Sequence, residues 1–133
     1  MTNKEIEQIL RDYNWMMKEI ARLRGYLEDA GEGNSRTYEE MSMPRGKGGT
    51  SDPVFQEAAR REKKWKRLER LEKKVRFVQD RIDNIEDERE RATLDCMLDG
   101  MNIPEIARHF GISERYVYTM RDRIVSKMAV KVS

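Results

Sequence analysis

The stretch from Asn102 to Met128, N-I-P-E-I-A-R-H-F-G-I-S-E-R-Y-V-Y-T-M-R-D-R-I-V-S-K-M, leaves the chain few local alternatives. Asn102 is a strong N-cap, Pro104 falls in the first turn where its missing N–H costs little, and Glu105 completes an N-x-x-E box. A short helix over 103–110 follows, with Ile106, Ala107 and Phe110 on one face. Gly111 stands where the helix end needs a residue able to take positive φ, Ile112 is a buried pivot, and Ser113 caps a second helix. Ala107 lies where the two helices approach most closely, because a larger side chain would push them apart. Val117, Met120, Ile124 and Met128 recur at helical spacing and face a core. Helix, glycine turn and capped helix make a helix-turn-helix, with Asn102, Ala107, Gly111, Ile112 and Val117 as its structural positions.

That spacing leaves Glu114, Arg115, Tyr118, Thr119, Asp122 and Arg123 on the outer face of the second helix. Hydrogen-bonding groups, an aromatic ring and guanidiniums on one face suit base edges and phosphates in a DNA major groove. Arg108, Arg121 and Lys127 are candidate phosphate contacts. The competing interpretation is an ordinary helical corner with a solvated polar face. Turn, caps and spacing agree, and that agreement favours double-stranded DNA as the partner.

The rest of the chain reads as helical. At 133 residues it can form one compact domain plus an extension. Charged residues make up 39% and the mean hydropathy is −0.92, so surface is large relative to core. There are no alternating apolar runs, and turn dipeptides are confined to one segment. The fold class is therefore all-α: a long coiled-coil-like helical hairpin followed by the helix-turn-helix domain.

Four segments follow from periodicity and composition. Residues 1–30 form a long helix opened by a Thr2–Glu5 capping box. Its stripe is Ile6, Leu10, Tyr13, Met17, Ile20, Leu23 or Arg24, and Leu27, broadened by Ile9, Trp15 and Met16. Residues 31–53 hold 5 of the 8 glycines and read as a flexible linker, with Tyr38, Met41 and Met43 forming at most a short docking turn. The segment contains no G-x-x-x-x-G-K-[ST], which argues against Lys47 lying in a phosphate-binding loop. Residues 54–83 are a basic helix, capped by Ser51 or Asp52 with Pro53 first, whose stripe is Val54, Ala58, Trp65, Leu68, Leu71, Val75, Val78, Ile82 and Ile85. The two helices can fold back antiparallel, or the same stripe can build a homo-oligomer through the long helices. Residues 84–133 form the helix-turn-helix domain. Asn84 and Asp87 cap a third helix running to about Leu98, or else the second helix continues unbroken.

Net charge is only +2, but it is unevenly spread. Residues 54–82 carry 11 Lys/Arg against 5 Asp/Glu, residues 83–100 carry 2 against 7, and residues 101–133 carry 6 against 3. A basic rod, an acidic helix and a basic reading head are thus hidden in near-neutrality. The ten cations from Arg60 to Arg76 are either a solubilising face or an added DNA-backbone contact.

Nothing points to catalysis, a metal or a cofactor. His109 is the single histidine, and consecutive carboxylates on a helix diverge. Tyr13 and Trp15 read as packing residues rather than a ligand site. The lone Cys96 excludes an internal disulfide and suggests a reducing compartment. No apolar run approaches a membrane span and no signal peptide is evident, so the expected location is the cytoplasm.

The run L-D-G-M-N-I-P-E-I-A-R-H-F-G-I-S-E-R-Y-V-Y-T-M-R-D-R-I resembles region 4 of the sigma-70 family. In layout the whole chain is similar to phage late-transcription regulators of the RinA and ArpU type from Gram-positive hosts, and V-Y-x-x-R-D at 117–122 is the most family-like piece. The resemblance implies activation of late genes at a promoter, together with host RNA polymerase, in a bacterial host cell. Carried over by position, it adds Ser113 to the DNA-contacting residues. Tyr116, Tyr118 and Thr119 depart from the Arg- and Lys-rich sigma pattern, which puts a standard −35 hexamer in doubt as the target. The alternative is a phage terminase small subunit recognising packaging-site DNA, and a third reading is a scaffold that binds another protein.

Overall fold

A computed structural model of the chain describes the backbone of residues 1–42 and 53–130, and the side chains of 1–28 and 53–130. It contains five α-helices and one 3-10 turn, and no strand among the described residues. They are α1 (Asn3–Ser42), α2 (Pro53–Arg81), the 3-10 turn (Ile82–Asn84), α3 (Glu88–Leu98), α4 (Ile103–Phe110) and α5 (Glu114–Met128).

The first helix begins as its sequence dictates. Thr2 Oγ1 accepts from the Glu5 amide at 3.2 Å, and Glu5 Oε2 accepts from the Thr2 amide at 3.4 Å. It ends later than expected, at Ser42 rather than near Ala30, so the first part of the expected linker is helical. Gly31 and Gly33 each cost roughly 1 kcal/mol of helix propensity, but Arg36, Glu39, Glu40 and Met41 beyond them are good helix formers. The G-K-G-G stretch, Met43 and the caps expected at Ser51 and Asp52 lie outside the described residues, as do the side chains of Tyr38 and Met41.

Two compact units divide the chain. One comprises Glu19–Glu72, taking part of α1 and part of α2. Here the helices pair antiparallel, with Tyr26 donating to Glu57 at 2.9 Å and Arg67 bridging Glu19 at 3.0 Å. Ile20, Leu23, Leu27, Leu68 and Leu71 are its buried apolar residues. The inward stripe of α2 differs from the expected one. Val54, Glu57, Arg61 and Lys64 are half-buried, whereas Ala58 and Trp65 point outward, Trp65 with 50% exposure. Specific polar contacts shift the register: the Glu57–Tyr26 hydrogen bond pushes the phenol pKa up, and the Lys64 ammonium lies 4.2 Å from the Tyr26 ring centroid.

The other unit comprises Met1–Lys18 and Lys73–Ser133. This unit runs through residue 84 and includes both the start of α1 and the end of α2. Ile6, Leu10, Val78, Ile85, Leu94, Ile106, Val117, Ile124 and Met128 are all fully buried in it. Each such side chain contributes about 1.5–3 kcal/mol of burial free energy. Within α1 the expected stripe holds at Ile6 and Leu10, and Met16 is buried, but Met17 and Trp15 are exposed and Tyr13 is half-buried. Gln79 donates to the Tyr13 hydroxyl at 3.4 Å, which keeps that edge of the ring polar.

Between α2 and α3 the helix does break. Arg81 folds back to donate to the Phe77 carbonyl at 3.1 Å, the 3-10 turn follows, and Asp87 caps α3 by accepting from the Glu90 amide at 3.0 Å. Asn84 does not cap; its side-chain amide donates to the Lys127 carbonyl at 3.3 Å, near the end of α5.

Candidate nucleic-acid interface

Three short helices build the site. α3 ends at Leu98, and Gly100 turns the chain with φ +98°. A Cβ there would meet the Asn14 side-chain nitrogen at 2.5 Å, so α1 packs against this turn, where the positive φ favours glycine. The reciprocal capping box then starts α4: Asn102 Oδ1 accepts from the Glu105 amide and Glu105 Oε1 from the Asn102 amide, both at 2.9 Å. Gly111 takes φ +68° and ψ +37°, closing α4, and Ser113 Oγ accepts from the Tyr116 amide at 3.1 Å to start α5.

α5 packs on α3 and α4 through Val117, Met120, Ile124, Val125 and Met128, all buried. Ala107 is buried as expected, against α5. Ile112 is only half-buried and Phe110 is 40% exposed, which corrects the expectation of a buried pivot and a packed phenyl ring. Both line an open groove of about 600 Å³ with Ala92, Thr93, Tyr116 and Met120, which no element among the described residues covers.

Glu114, Arg115, Tyr118, Thr119, Asp122 and Arg123 are all exposed, and Ser113 lies exposed at the start of the same face. Among the described residues the Arg108, Arg115 and Arg123 guanidiniums have no ion pair or side-chain hydrogen bond, which leaves each available to an anion. The other two candidate phosphate contacts sit differently. Lys127 pairs with the buried Glu90 at 2.5 Å, and Arg121 pairs with Glu7 of α1 at 3.4 Å and with Asp122 at 3.3 Å. The Arg121 guanidinium also lies 4.9 Å from the Tyr118 ring centroid. Sequence reasoning missed Glu7, because a contact between positions 7 and 121 leaves no periodicity or spacing to read. It also missed Arg89, whose pKa is pushed up chiefly by the nearby Tyr116 hydroxyl.

This arrangement, a glycine-turned helix pair with one buried and one open face on its second helix, is a helix-turn-helix that supports DNA binding. Residues 89–125 match a family described as a helix-turn-helix domain. Over 134 aligned positions the chain is 33% identical to a protein of Bacillus subtilis (strain 168) described as uncharacterized protein YqaQ, covering 96% of this chain and 89% of that one. The chain belongs to the same family as YqaQ. No solved structure matches it. No helix among the described residues is long and apolar enough to cross a membrane.

Proposed function

We propose that the chain is a non-enzymatic, sequence-specific DNA-binding regulator of the RinA and ArpU type. It reads a promoter-proximal site with the outer face of α5 and activates phage late genes together with host RNA polymerase. The observation that carries this reading is the division of α5. Its inner face is buried, while its outward set is exposed with the Arg115 and Arg123 guanidiniums unpaired. Glu114, Tyr118, Thr119 and Asp122 add hydrogen-bonding groups that discriminate base edges, which a purely phosphate-gripping face would not need. Long helices ahead of this head support the late-regulator layout. Phe55 and Trp65, 71% and 50% exposed on α2, support self-association through those helices.

The test is selection of bound fragments from sheared phage and host DNA, at fixed near-physiological salt with competitor, because the phosphate term alone supplies non-specific binding. Enrichment of one fragment upstream of a late operon is the expected result. Enrichment of a packaging site would replace the regulator with a terminase small subunit. Recovery of no preferred fragment would leave a scaffold that binds protein.

A further inference from the structure

We propose that Glu7 and Arg121 are positioning residues for base reading by Tyr118, so that the N-terminal helix sets part of the specificity of the distant reading head. This rests on the DNA-reading role assigned to α5 above. Tyr118 is 43% exposed on the outer face of that helix, and a ring so placed would sample several rotamers unless something held it. Arg121, one turn on, lies with its guanidinium 4.9 Å from the ring centroid, the cation–π geometry that favours one orientation of the pair.

Arg121 is itself held from outside the motif. Its side chain is 19% exposed and reaches Glu7 Oε1 at 3.4 Å, while Glu7 is 27% exposed. The three residues line one cleft of about 300 Å³, together with Arg11, Met97 and Asn102. The packing of Asn14 over Gly100 keeps α1 against the same side of the domain. The carboxylate of α1 therefore fixes the guanidinium, the guanidinium fixes the ring, and the ring presents its edge and hydroxyl to the bases. Arg121 also donates to Asp122 at 3.3 Å, but that carboxylate is 65% exposed and screened by solvent, whereas Glu7 meets the guanidinium at 3.4 Å from a side chain only 27% exposed. A fixed ring discriminates between bases, whereas a mobile one accommodates them.

The experiment measures, for the full-length chain, affinity for its selected fragment and for a scrambled fragment at one salt concentration. Glu7→Gln should lower the ratio of the two by about twofold to fivefold, the size of one exposed cation–π contact. Affinity for the scrambled fragment should hold or rise, and Glu7→Asp should restore part of the ratio. In a Tyr118→Leu background Glu7→Gln should then change nothing. An equal loss on both fragments, a loss that persists without the ring, or an unchanged ratio would each overturn the proposal, with melting curves confirming that every variant is folded. A wild-type chain without any fragment preference would sink the DNA-reading role and this proposal together. A clear wild-type preference that ignores Glu7 would sink this proposal alone.

Discussion

At the scale of single residues, the sharpest consequence concerns Arg115. Its guanidinium is unpaired at the start of α5, so Arg115→Ala should weaken the best DNA site by ~1–3 kcal/mol if it pairs with a guanine edge. Competition binding checks this, and equal loss across all sequences would make it a phosphate contact. Cys96 gives an independent prediction. Burial, followed by the nearby Asp99 and Asp95 carboxylates, pushes its thiol pKa up, so little thiolate forms near neutrality. Iodoacetamide at pH 8 should therefore modify it more slowly than free cysteine; an equal rate would count against its half-buried placement. What could be read at this scale was whatever depends on near neighbours. The Asn102 box, the Gly111 turn and the Ser113 cap are set by residues three or four positions apart. The exposure of Phe110 could not be read, because it depends on whether another element covers the groove beside it.

At the scale of elements, the close packing of α4 on α5 predicts that Ala107→Leu overpacks the turn. The cost should be about 1–3 kcal/mol, visible as a lower melting temperature with weakened DNA binding. In the hairpin unit, Glu19 is 8% exposed between two arginines. The hydrogen bond from Arg22, helped by the charges of Arg22 and Arg67 against an opposing cost of burial, holds its pKa below the ordinary value of 4.5. Because the folded pKa is the lower one, this contribution to stability is fully present above about 4.5 and fades as pH falls through the folded value. Denaturant melts should show Glu19→Gln less stable than wild type at pH 7, with the gap closing on acidification; a gap independent of pH would exclude the ion pair as its source. Helix type was legible from heptads and caps, and helix number up to the choice between a break and a continuous helix near residue 84. The register of α2 was not, since Val54, Ala58 and Trp65 make the apolar stripe on paper, whereas Val54 with the charged Glu57, Arg61 and Lys64 faces inward in the fold. Tyr26, on another helix, decides between them.

At the scale of the whole molecule, the head is larger than the segment that resembles other helix-turn-helix domains. The matched residues 89–125 leave out Ile6, Leu10 and Val78, all fully buried in the same compact unit. Leu10→Ala should therefore destabilise the DNA-reading unit by about 2–5 kcal/mol, although it lies far from the motif in sequence. Thermal melting monitored through DNA binding checks this, and an unaltered melt would separate α1 from the head. No composition or spacing argument could place residues 1–18 there, because what places them is a set of contacts with the other end of the chain.

That discontinuity bears on synthesis. A ribosome delivers Met1–Lys18 first and cannot supply most of their packing partners until Lys73 onward has emerged, so the early apolar stripe must wait through the whole of Glu19–Glu72. A chain cut before Lys73 would carry the first helix without the partners it packs on, and one begun after Lys18 would carry the motif without that helix.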